Sequence, residues 1–289
     1  MAIAVAVVGA VVAVVVGVVE LFGSPGSPLK APHYSAQTAL PFTGLNNPID
    51  VAVDAKGDVY VADAGNRRVL MLAPGSTHQT ELPFTGLQKL TGVAVDGKGD
   101  VYATGGSADG GKVVELAPGS TSQTALPFNG LADPRAVAVD DKGDVYVADR
   151  GTQQVVELAA GSTNQTVLPF QGLEIPQGLA VDTIGDVYVT DTEMYDNKVV
   201  KLAPGSNDPT MLPFSGLNQP YGVAIGHDGS VFLSDSNSRQ VLELPSGSSP
   251  QATLPFKGLN TPEGVAVDAS GNVYVADSAH ARVLKLEAG

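Results

Sequence analysis

From residue 37 to its end the chain repeats one pattern of apolar runs. In the first copy the runs are Gln37 to Phe42 (QTALPF), Val51 to Val53, Val59 to Ala62 and Val69 to Leu72. LPF begins at Leu40, Leu82, Leu126, Leu168, Leu212 and Leu254, at spacings of 42, 44, 42, 44 and 42. Runs this short, bounded by Gly, Pro and Asp, are strands rather than helices. A period near 42 with four strands per copy predicts an all-β, six-bladed β-propeller with one four-stranded blade per repeat. The second and third runs are almost continuously apolar, as strands covered on both faces should be. Pro41 has no N–H to give to a ladder, so the LPF strand belongs at an outer edge. VAVD is then the innermost strand, followed outward by VYVAD and VLxL.

The first run, Gln37 to Phe42, has no blade of its own. The last, Val283 to Leu286, lacks an outer neighbour. Pairing them closes the ring at six blades and removes an exposed sheet edge. Alternating strand directions sort the loops onto two faces. The outer-to-inner and second-to-third loops form the top. The inner-to-second and third-to-outer loops form the bottom, where the chain enters the ring.

The first 36 residues differ in kind. Residues 2–22 are apolar or glycine except Glu20. At about 1.5 Å per residue such a helix spans roughly 30 Å, the thickness of a bilayer core. No Lys or Arg precedes it and no small-x-small site ends it, so a retained transmembrane helix over 1–22 is expected, with a cleaved signal or a buried core helix as the alternatives. Residues 23–36 read as a Pro-rich linker and 37–289 as the propeller. The net charge of −14 excludes a nucleic-acid footprint. Most of the acidity falls on bottom loops, which would keep that face off anionic lipid. With no cysteine there is no disulfide and no thiolate metal site.

Little in the repeat suggests catalysis. The turns Asp54-x-x-Gly57-Asp58, Asp96-x-x-Gly99-Asp100, Asp140-x-x-Gly143-Asp144 and Asp182-x-x-Gly185-Asp186 read as hairpin turns rather than Ca²⁺ loops, since each offers two acids. The Asp ending each second strand (Asp63, Asp149, Asp191, Asp235, Asp277) stands before a loop with Arg67, Arg68, Lys198, Arg239 or Arg282 and reads as a loop cap or inter-blade ion pair. His33, His78, His227 and His280 occupy unlike positions and cannot converge on a metal. Nucleophile-elbow, zinc-protease and kinase motifs are missing. No enzyme activity, cofactor or metal is therefore expected.

The informative positions are those the repeat leaves free. Just before each inner strand, P-x-G carries Ile49, Thr91, Arg135, Gln177, Tyr221 or Glu263, with Asp50 at the usual glycine position of the first copy. These are placed around the top mouth of the channel as ligand-binding candidates. The glycines Gly92, Gly178, Gly222 and Gly264 are read as a response to crowding near the axis, because Ala136 also occurs there. The long top loops of copies 2 and 4 add Met194 and Tyr195 as candidate contacts.

The string G-L-x-x-P-x-G-V-A-V-D-x-x-G-x-V-Y-V-A-D-x-x-N-R-R-V, most faithful at Asn66-Arg67-Arg68-Val69, resembles the NHL repeat. The added LPF-x-G-L and LAPGSTxQT segments resemble the extracellular sensor domains of mycobacterial receptor-type serine/threonine kinases. That resemblance covers 37–289. It implies a single-pass cell-membrane anchor with the propeller outside the cytoplasm, acting as the sensor part or homologue of such a receptor. No kinase domain lies in this chain. The expected partner is a small molecule, a cell-wall component or a protein, besides the membrane through residues 2–22. A propeller lyase or lactonase, or a structural self-association scaffold, are the alternatives.

Overall fold

The computed structural model describes residues 34–193, 196–247 and 250–289. Tyr34–Gly289 forms one compact unit. It is a ring of six antiparallel four-stranded sheets. In blade 1 the strands are Pro48–Val53, Val59–Asp63, Arg68–Leu72 and Thr80–Leu82, from the axis outward. The next four blades follow the same order. Blade 6 combines Pro262–Val267, Val273–Asp277 and Arg282–Ala288 with the first strand of the unit, Tyr34–Ala39.

Closure is as expected, with one shift. The closing strand runs over Tyr34–Ala39, not Gln37 to Phe42, and pairs Gln37 with Leu286 and Ala39 with Leu284. The LPF segments end the outer strands instead of forming them. Leu40 donates its N–H to Val283 O at 2.9 Å, and Phe42 N then turns back onto Leu40 O at 2.8 Å. Pro41 between them cannot donate, so the ladder stops there. At the other end Tyr34 packs beside Leu254, Leu259 and Leu286, which carries the strand back into part of the segment read as linker. The candidate transmembrane segment, residues 2–22, lies outside the described residues. Among the described residues no helix is long and apolar enough to cross a membrane.

The core is a set of inter-blade layers. Val51, Val59 and Val61 of blade 1 pack on Ala266, Tyr274 and Val283 of blade 6. Ala94, Tyr102 and Val113 of blade 2 meet Val137, Val145 and Val147 of blade 3. Second strands such as Val59–Asp63 are buried throughout because blades cover both faces. Each fully buried valine there contributes about 1.5–3 kcal/mol.

Turn chemistry explains the repeated acids. Asp54 Oδ1 accepts the N–H groups of Lys56 and Asp58, both at 2.9 Å, while Gly57 takes φ +86°. The second-strand aspartates are wholly buried and cap the outer-to-inner loop. Asp149, for example, accepts from Ala132 N at 2.8 Å and Asp133 N at 2.7 Å. Their bases come from the same blade, not the next one: Arg68 on Asp63 at 2.8 Å, Arg282 on Asp277 at 2.7 Å, Lys198 on Asp191 at 3.4 Å. Arg67 and Arg239 instead occupy left-handed turn positions, φ +55° and +56°.

Blade 2 has Gly105 where the others have this Asp. A Cβ there would lie 1.9 Å from Lys89 O. Its strands continue past the usual cap, pairing Lys89 with Gly106, and Gln88 N donates to Gly106 O at 2.8 Å. Backbone pairing replaces the carboxylate.

Candidate functional site

Each inner strand opens with a register shift around its P-x-G position, between Pro48 and Asp50 in blade 1 and between Pro176 and Leu179 in blade 4. A bulge re-aims the side chains next to it. It also breaks the two-residue alternation at the variable position, so the strand pattern does not say which way each of the six side chains turns.

The central channel holds a cavity of about 190 Å³ lined near its top by Asp50, Thr91, Arg135, Gln177 and Tyr221. Ile49 does not face it. Ile49 is buried in the layer between blades 1 and 2, against Leu90 and Val93. Glu263 lies beside the cavity, not on its lining, within electrostatic range of Asp50, Arg135 and Tyr221. Met194 and Tyr195 lie outside the described residues.

Two lining residues are already engaged across blade seams. Thr91 Oγ1 donates toward Pro134 O at 2.7 Å and lies 3.1 Å from Thr104 O. Asp50 accepts Val51 N at 3.0 Å and Val93 N, in the next blade, at 2.9 Å. These two hold the ring together.

Two other lining residues, and Glu263 beside them, have spare capacity. Arg135 Nε, Gln177 Oε1 and Glu263 Oε2 are buried without a hydrogen-bond partner among the described residues. Buried polar atoms are almost always paired, so three orphans around one channel mouth need an explanation. Arg135 is held in place through its other guanidinium nitrogen, 2.9 Å from Asp133 Oδ2. Asp133 also binds Lys89 and Arg150. Burial alone would raise its pKa, but these three bases outweigh that and hold it below the usual carboxylate range.

Burial pushes the carboxyl of Asp50 up to about 7, against the two backbone N–H groups it accepts. Burial also lifts Glu263 to about 7, helped by the negative charge of Asp50 and opposed by Ser278 and Arg135. Burial raises the Tyr221 hydroxyl too, with Glu263 adding to it. The mouth therefore combines one guanidinium, one carboxamide, an aromatic ring and two carboxyl groups that protonate near neutrality.

Crowding accounts for the adjacent glycines. A Cβ on Gly178 would sit 2.0 Å from Tyr221 O, and one on Gly222 2.5 Å from Glu263 O. None of these glycines has a positive φ. Only Gly92 has room near the limit, at 3.1 Å from Thr104 Cγ2, which agrees with Ala136 at the same position of blade 3.

Three segments, residues 45–70, 131–158 and 259–286, match the model of the NHL repeat. The chain carries NHL repeats. No curated protein matches the sequence of this NHL propeller. Among solved structures it is similar to the nidogen/laminin complex (TM-score 0.68, 18% identity, 76% of this chain and 86% of the other). It is also similar to a streptogramin B lyase (TM-score 0.65, 15% identity, 89% and 98%). A third is the PQQ-bound aldose sugar dehydrogenase from Streptomyces coelicolor (TM-score 0.67, 17% identity, 90% and 100%). At these identities the likeness shows the fold alone. These neighbours include both a protein–protein complex and enzymes, so the chemistry has to be argued from this channel. Among the described residues no group of His, Cys, Asp and Glu could hold a metal ion.

Proposed function

We propose that the chain is a binding propeller that recognises a small molecule, a cell-wall component or a protein segment at the top mouth of its channel. The observation that carries this reading is the convergence of three unpartnered buried polar atoms, Arg135 Nε, Gln177 Oε1 and Glu263 Oε2, at positions the repeat leaves variable. A ligand supplying one acceptor and two donors would complete all three. The likeness of the LPF-x-G-L and LAPGSTxQT segments to receptor-kinase sensor domains, and the apolar run of residues 2–22, support an anchored, extracytoplasmic sensor.

The test is a thermal-shift screen of the full-length protein against metabolites and cell-wall fragments, repeated with R135A, Q177A and E263A. Hits should lose their shift in all three variants while the unliganded melting temperature stays near wild type. Hits that survive all three would remove the site from the channel mouth.

A second reading, enzymatic, rests on the neighbouring carboxyl groups of Asp50 and Glu263, both lifted to about 7 and so suited to proton transfer at neutral pH. Turnover of a hit compound, lost in E263Q with binding retained, would favour it.

A further inference from the structure

Five of the six blade seams are stitched at the rim by a glutamine. Its carboxamide takes both backbone groups of the residue that follows LPF in the preceding blade. The pairs are Gln79 on Thr43, Gln123 on Thr85, Gln165 on Asn129, Gln251 on Ser215 and Gln37 on Lys257. In each, Oε1 accepts the N–H and Nε2 donates to the C=O, at 2.7–3.1 Å. At the seam between blades 3 and 4 the glutamine position is Pro209. Its counterpart is the exposed Gln171, whose backbone N–H and C=O are unclaimed among the described residues.

A second feature falls at the same seam. One outward position of the outer strands holds Ala39, Glu81, Ala125 and Thr253 in four blades, but Val167 in blade 3 and Met211 in blade 4. Val167 and Met211 are 50% and 64% exposed, two of the three large exposed apolar side chains among the described residues. Met211 stands two residues after Pro209, on the strand face toward blade 3 and the unstitched seam, whereas Val167 stands two after Gln165, on the face toward blade 2. Below the unstitched seam, Leu168, Pro169 and Pro204 line a cleft of about 340 Å³.

We propose that the rim of the blade 3–blade 4 seam is a docking site for an extended polypeptide that brings a carboxamide side chain to Gln171 and an apolar side chain to Met211. The chemistry of the occupant is read from the other five seams, where a carboxamide fills the same backbone pair. Nine extended residues reach about 30 Å, enough to run across both outer strands. Edge pairing supplies the backbone hydrogen bonds, and Met211 selects an apolar neighbour for the carboxamide.

The probe is a labelled synthetic peptide of residues 162–170 (STNQTVLPF), which carries both the stitching glutamine and an apolar residue two positions on. Fluorescence anisotropy with the full-length protein should show saturable binding. P209Q supplies the stitch from within the chain, so it should raise the melting temperature and weaken peptide binding about tenfold. That is the scale of losing a two-bond contact. The peptide with Gln165→Glu should bind wild type as poorly. The M211T variant, which borrows the threonine of blade 5, should weaken binding without altering the seam and serves if P209Q misfolds. Equal binding to wild type, P209Q and M211T, or binding to none, overturns the proposal. Dimerisation of the wild type that P209Q abolishes, without peptide binding, overturns it in favour of a second copy.

Discussion

Tyr34 donates its hydroxyl to Glu243 across 3.4 Å, tying the first residue of the closing strand to the third strand of blade 5. The ring is thus latched by a residue that precedes its first repeat. Burial and the carboxylate of Glu243 together raise the Tyr34 hydroxyl well above its ordinary pKa, so it remains a donor across the neutral range.

Truncation tests this latch. Protein beginning at Tyr34 should melt as the full ring does. Protein beginning at Leu45 loses Tyr34, Leu40 and Phe42 from their apolar layers and bares the edge of Arg282–Ala288. It should lose several kcal/mol or aggregate. Paired urea melts compare the two, and equal midpoints would show that closure does not depend on this strand.

The buried caps give a second prediction. Among the described residues Asp149 has no basic partner, but it accepts from Ala132 N, Asp133 N, Gly151 N and Thr152 Oγ1. Asp149→Ala would orphan three backbone donors and should cost about 3–5 kcal/mol. A midpoint shift under 1 kcal/mol in denaturant melts would mean that the loop finds other partners.

The inner glycines give a third. Gly178→Ala drives a Cβ against Tyr221 O, which is backbone and cannot swing aside. It should cost about 3 kcal/mol and disturb the channel mouth. Gly97→Ala, with nothing within 4 Å, is the matched control and should be neutral or slightly stabilising. Calorimetric melting of both variants decides it.

Glu263 gives a pH prediction. Its folded pKa of about 7 lies above the unfolded value of roughly 4.3. Between these values the unfolded chain has released the proton and the native protein still holds it. Stability from this group is therefore full below about pH 4 and declines as pH rises through about 7. Urea stability of wild type minus that of E263Q should fall between pH 4 and 7 and then level off. A flat difference would mean that Glu263 titrates normally in the fold.

Blade number, strand order, turn type and closure were legible from the chain. A period of 42–44 with one proline per outer strand and one Asp-Gly pair per hairpin leaves few other arrangements. These are local regularities, set by backbone conformation over a few residues. Crowding at Gly178 and Gly222 was also legible, because an alanine appeared in the same column. The glutamine of LAPGSTxQT was equally visible, but nothing in its spacing shows that it reaches back 36 residues, or that Gln37 reaches forward 220, to clamp another blade.

Only the tertiary structure decided which variable residues face the channel. Ile49 and Arg135 hold the same place in the repeat, yet one is core and the other lines the cavity. The register shift is the same at both, Pro48 to Asp50 and Pro134 to Ala136, so side-chain chemistry decides: the isoleucine packs with Leu90 and Val93, and the guanidinium stays beside Asp133. Whether Thr91 and Asp50 are free for a ligand or occupied by the next blade depends on atoms 13 to 43 residues away. Repetition determines that blades form and in what order. Packing between them determines which side chains are left with nothing to bind.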